Sequence, residues 1–190
     1  MITDYVKKLV DLTNNQYEQF HFESEDDQPL SQQIKEYWQN LGLDFPGTET
    51  PWSAVFVSYC VKSAGATKQE FLFAPSHSRF VHFAIQNTVN NTGVFRGFDI
   101  ADVTPELGDI IQNNRGGNKY DFTYAQKHKD YPSHSAIVVE KGTDANGHYV
   151  MTIGGNESDS IRKKKVRLND GMKIIQRSSS PYISVIRDLK

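Results

Sequence analysis

The chain has 190 residues, with 21 Lys and Arg against 23 Asp and Glu and a formal charge of −2. That length suits one domain able to bury its own core, and a single cysteine excludes a disulfide framework and any multi-cysteine zinc or iron–sulfur site. The near-neutral balance argues against a nucleic-acid partner. The longest apolar runs, such as 54–57 and 136–139, fall far short of the ~20 residues of a membrane helix, so no membrane insertion is expected.

In chain order, 4–20 reads as an amphipathic helix with Thr3 as its N-cap. The acidic run 23–27 reads as a solvated connection, since calcium loops need a Gly turn and a closing Glu that it lacks. A second helix is expected over 31–43, with Ile34, Tyr37, Trp38 and Leu41 on one stripe. A third, buried on most sides, starts near Ser53 and stops at Gly65. A fourth is expected over 79–87. From Gly108 the texture turns to strands: 107–111, 133–140, 149–153, 160–168 and 182–187, with Asp144-Ala145-Asn146-Gly147 as a hairpin signal. Helices first and antiparallel strands second give an α+β fold. Residues 1–190 read as a single domain, with 1–50 as a helical N-terminal part and 51–190 as the core that would carry catalysis.

Most catalytic signatures are missing. There is no Gly-x-Ser-x-Gly, P-loop, Rossmann glycine pattern or His-Glu-x-x-His. Ser160-Ile161-Arg162-Lys163 matches Ser-x-x-Lys without its partner motifs, and His77 and His82 are badly spaced for a zinc pair. Neither a metal nor a cofactor is expected. What remains has three pieces: the helix beginning just after Trp52, His134 at the start of a strand, and Asn156 just beyond the neighbouring strand. A hairpin joining those strands places His134 and Asn156 at one end of the sheet, a geometry suited to an imidazole base oriented by an amide. A nucleophile at the helix N-terminus would complete the set, because the helix dipole and its free N–H groups favour a developing oxyanion.

Taken in order, Trp52 to Val57, Gly108-Asp109, His134 to Val139 and Gly154 to Asp159 resemble motifs of the papain-like bacterial cell-wall amidases, the CHAP and NlpC-type cysteine peptidases. A branch of these reads Trp-Cys-Ala-Ala-Phe-Val, Gly-Asp, His-Val-Gly-Ile-Val-Val and Gly-Gly-Asn-Gln-Ser-Asp. The resemblance spans a little over half the chain. It implies a papain-like fold of helices on an antiparallel sheet and hydrolysis of peptide or amide bonds in peptidoglycan stem peptides. The family's nucleophilic Cys falls on Ser53, and the one thiol, Cys60, sits two turns deeper where a core role is expected. Ser53 therefore reads as a serine nucleophile activated by His134 and Asn156, as a remnant in a silent module that binds peptide or cell wall, or as a helix cap.

Trp52, His77 and Asp109 are candidates to line a substrate cleft, against plainer roles as core, helix-capping loop and turn. Asn156 could equally hold the turn after Gly154-Gly155. The basic run 162–167 reads as a solvated strand face or a contact to anionic polymer. No apolar leader follows Met1. The chain thus reads as soluble, made in the cytoplasm and exported or delivered without a signal peptide, as an antibacterial effector or lysin would be. Such a toxin would need a cognate inhibitor (immunity) protein as a partner in the producer.

Overall fold

In a computed structural model describing residues 2–190, four helices precede the sheet: α1 (Asp4–Phe20), α2 (Leu30–Asn40), α3 (Ser53–Ala64) and α4 (His77–Val89). Thr3 caps α1 as expected, its hydroxyl accepting from the Val6 N–H at 3.2 Å. α3 is buried along most of its length, including Val55, Phe56, Cys60 and Val61. Gly65 ends it at φ +117°, a left-handed conformation that glycine adopts without penalty. α4 begins at His77, two residues earlier than the sequence pattern predicts.

The strands are β1 (Phe95–Asp99), β2 (Ile110–Asn114), β3 (Ser133–Asp144), β4 (Gly147–Gly154), β5 (Arg162–Arg167) and β6 (Tyr182–Asp188), with a short α5 (Phe122–Lys127) between β2 and β3. They form one antiparallel sheet in the order β1-β6-β2-β3-β4-β5. The α+β expectation holds at this level. β1 and α5 have no counterpart in the sequence reading. Gly97 breaks the strand pattern of β1, yet the packing demands it, since a Cβ there would come within 2.6 Å of the Ile85 side chain and 2.8 Å of its backbone nitrogen. α5 is a single capped turn and a half, held by Asp121 accepting from the Tyr124 N–H at 2.7 Å.

The helices cover one face of the sheet. Ile137 and Ile153 join Leu9, Tyr37, Phe56 and Phe80 in the main core there. The opposite face carries a smaller cluster, with Ile111, Val138, Val150 and Val185 beneath Ile100, Ile174 and Tyr182. Period-two alternation along β3 supplies both layers. No helix among the described residues is long and apolar enough to cross a membrane.

Asp109 corrects an expectation. It lies just before β2, at the end of the strand away from the cleft described below, and it is fully buried. Its carboxylate accepts from Arg187 Nη2 at 2.7 Å and Nε at 3.2 Å and from the Glu106 N–H at 2.8 Å. It ties β6 to the turn before β2 rather than lining a pocket. Burial pushes its carboxyl up from the ordinary range, and the Arg187 partner opposes that rise. Arg187→Met should therefore cost about 2–4 kcal/mol, because it strands a buried carboxylate without its counter-ion. Urea denaturation at pH 7 checks this, and an unchanged midpoint would show the pair to be dispensable.

Candidate active site

Two helices start at the same point. Ser53 is the first residue of α3 and His77 the first residue of α4, and neither helix has a side-chain cap. Their first-turn N–H groups are therefore left without capping oxygens. Ser53 Oγ and His77 Nε2 lie 2.7 Å apart, within a buried environment that leaves Ser53 only 3% and His77 5% exposed. Burial, with the charges of His134 and Arg115 adding to it, holds His77 well below the ordinary imidazole range. The shift favours the neutral ring, and in the tautomer with its proton on Nδ1 the Nε2 atom can accept the serine proton. Its Nδ1 is buried with no partner among the described residues. The first turn of α3 thus presents a hydroxyl and uncapped amides beside the imidazole that begins α4.

A second pair stands beside the first. His134, at the start of β3, meets the carboxylate of Glu157, with Nε2 and Oε1 2.8 Å apart. The other carboxylate oxygen of Glu157 receives Lys164 at 2.5 Å. Burial pushes the Glu157 carboxyl up, but the bonds and charges of His134 and Lys164 outweigh it and hold the group below its usual range. The His134 ring stands edge-to-face against His77, with centroids 5.2 Å apart. The structure therefore sets out Ser53–His77 and His134–Glu157 as two adjoining pairs.

The sequence expectation of Ser53 on His134 with Asn156 behind it is corrected on both counts. The hydroxyl is held by His77, the residue read only as a cleft wall or loop. Glu157, not Asn156, occupies the Nε2 side of His134. Asn156 has φ +52° and turns its amide away, donating to Glu25 Oε2 at 2.6 Å. The same oxygen accepts from Trp52 Nε1 at 2.8 Å. One carboxylate from the acidic run 23–27 thus ties the residue before Ser53 to the residue before Glu157, so that run is more than a solvated connection. Trp52 is wholly buried and packs in the core rather than lining a cleft. Glu157 was open to discovery as an acid directly after Gly154-Gly155-Asn156, close to the end of the strand paired with that of His134.

The glycines of that turn have a physical reason. A Cβ on Gly154 would run into Glu157 Oε1 and come within 2.9 Å of His134 Nε2. A Cβ on Gly155 would lie 2.6 Å from the Trp52 ring and 2.8 Å from Phe56. Neither has a positive φ; both are required by close approach.

A cleft of about 580 Å³ opens on the sheet face away from the helices, over the ends of β2 to β5. His134, Asn156 and Glu157 line it, and Ser53 and His77 do not. His134 is the side chain that borders both the cleft and the Ser53–His77 pair. Among the described residues no three His, Cys, Asp or Glu side chains gather as metal ligands.

The fold and site define an α+β protein with a serine–histidine pair at a helix N-terminus and a histidine–carboxylate pair beside it. Over residues 23–185 the chain matches, and so belongs to, a bacterial family described as an uncharacterized protein conserved in bacteria (DUF2272). No curated protein and no solved structure matches it.

Two outcomes follow from the site chemistry. The unfolded chain takes up a proton at His77 near pH ~6.5, and the folded chain does not until well below that. The unfolded state then binds more protons, so stability is full above pH ~6.5 and falls by up to about 1.4 kcal/mol per pH unit below it. His77→Gln should flatten this loss between pH 7 and pH 5 in urea titrations; equal slopes would refute the buried neutral ring. Cys60 is wholly buried, and burial pushes its thiol up to about 12. It should resist iodoacetamide in the folded protein, and fast alkylation would reopen a thiol mechanism.

Proposed function

We propose that the protein hydrolyses amide bonds, with Ser53 as nucleophile, on a papain-like arrangement adapted to serine. The observation that carries this is the 2.7 Å contact between Ser53 Oγ and a neutral His77 at the N-terminus of α3. A helix dipole alone does not ionise a hydroxyl, whereas an imidazole within hydrogen-bond reach can take its proton as the bond to carbon forms.

Ser53 Oγ attacks the carbonyl carbon and its proton passes to His77 Nε2. The oxyanion is held by the uncapped first-turn amides of α3. His134, oriented by Glu157, gives a proton to the leaving amine, and the acyl-serine remains. Water then attacks the acyl carbon and yields its proton to His134. His77 returns its proton to Ser53, and the carboxylic acid leaves. Substrate lies in the cleft and reaches the serine past His134. The ordered motifs shared with cell-wall amidases favour peptidoglycan stem peptides as the substrate, and delivery to the wall as an effector or lysin belongs to the same proposal.

The burial of both Ser53 and His77 favours a second reading, a silent module whose serine–histidine bond only joins α3 to α4 while the cleft binds peptide. Purified sacculi incubated with the protein and its variants separate the two. Mass spectrometry of the muropeptides should show new fragments with wild type and Cys60→Ala. Ser53→Ala, His77→Gln and His134→Gln should each lower the rate by about a hundredfold or more. Full activity in Ser53→Ala would refute the serine mechanism, and no cleavage by the folded wild type would leave the binding module.

A further inference from the structure

The cleft beside His134 has a charge at odds with the rest of the molecule. The whole chain stands at −2, yet Arg115, Lys164, Lys165 and Arg177 line the cleft against the single carboxylate of Glu157. That carboxylate is already matched by His134 and Lys164, and Lys165 is matched by Asp144 at 2.5 Å. The two arginines have no carboxylate partner among the described residues.

The Arg177 side chain is held in place, and Arg115 sits on a turn whose backbone is tied down. Arg177 lies over the Tyr182 ring at 4.3 Å and donates through Nε to the Ser180 carbonyl at 2.9 Å, which leaves its terminal nitrogens free. Arg115 follows the buried Asn114, whose side chain donates to the carbonyls of Tyr120 at 2.8 Å and Pro181 at 3.0 Å. Asn114 thus joins the turn that carries Arg115 to the segment that carries Arg177. Two guanidinium groups on one cleft, one of them anchored, are suited to a planar, bidentate anion.

We infer that Arg115 and Arg177 receive a carboxylate of the substrate, so that a carboxylate-bearing peptide is set with its scissile amide against His134. The inference rests on the amidase reading for the placement of the amide; the binding itself needs no hydrolysis. The cleft is the size of a short peptide's pocket. A nucleic acid would call for a strongly basic domain, and the chain as a whole stands at −2.

The test measures binding by calorimetry to Ser53→Ala protein, in which the proposed hydrolysis is switched off. The probes are monomeric muropeptides with free carboxylates and the same preparation amidated with methylamine. Native muropeptides should bind at least about tenfold more tightly than amidated ones. Arg115→Gln and Arg177→Gln should each remove about that factor for the native probe and change little for the amidated one. Both arginines are exposed, so these variants should fold as the parent does. Equal binding of the two probes, or no binding of either, overturns the inference even if wild type cleaves sacculi. Tighter binding of inorganic pyrophosphate than of the native probe overturns it in favour of a phosphate ligand. Discrimination between the probes without any cleavage by wild type sustains the carboxylate site and refutes the amidase reading.

Discussion

Everything at the site depends on how closely the turn after β4 lies against the start of α3. Gly154 and Gly155 have no Cβ, and at both positions a Cβ would collide with its neighbours: with the His134–Glu157 pair at one, and with Trp52 and Phe56 at the other. Their absence lets a sheet turn touch a helix terminus with no side chain between. The imidazole–carboxylate pair of the sheet then stands next to the hydroxyl–imidazole pair of the helices. Larger residues would push the two layers apart and separate the pairs.

The two ends of β2 show opposite physical solutions. Before the strand, Asp109 and Arg187 form a fully bonded ion pair that fixes β6. Near its far end, the site keeps its groups short of partners: two helix termini without caps and a buried imidazole nitrogen with nothing to bond. Each missing cap forgoes about 1 kcal/mol, and an unpaired buried polar nitrogen costs about 1–3 kcal/mol. Between the two ends lies Gln112, wholly buried, which donates to Tyr131 and Ser133 and accepts from Ser184. That satisfied hub gives rigid support to a neighbouring region that is left unsatisfied.

How much of this could be read in the chain follows the range of each interaction. α3 and its start at Ser53 were legible, because an apolar run bounded by Trp52 and Gly65 is a local signal. His134 and the 154–156 turn at one end of the sheet were legible from the hairpin between them. The partner of Ser53 was not, since His77 meets it only because α3 and α4 begin at one point, which no spacing in the sequence records. Asn156 stood in the motif position, but its positive φ turns it away and leaves Glu157 to meet His134. Glu25 was hidden in an acidic run, where composition speaks for solvent and only tertiary contact picks out one carboxylate. β1 was hidden by Gly97, whose bareness is a packing requirement of Ile85 rather than a turn signal.

The Glu25–Asn156 bond joins residues 131 positions apart. On the ribosome, α1 to α4 emerge while the segment that must meet Glu25 is still unsynthesised. The helices can carry Ser53 and His77 early, but Glu157 and the turn that seats it arrive near the end of translation. Closure of so long a loop is slow compared with local helix formation. The hydroxyl pair therefore waits for its carboxylate partner, and a chain cut short before residue 157 holds Ser53, His77 and His134 without the carboxylate that meets His134.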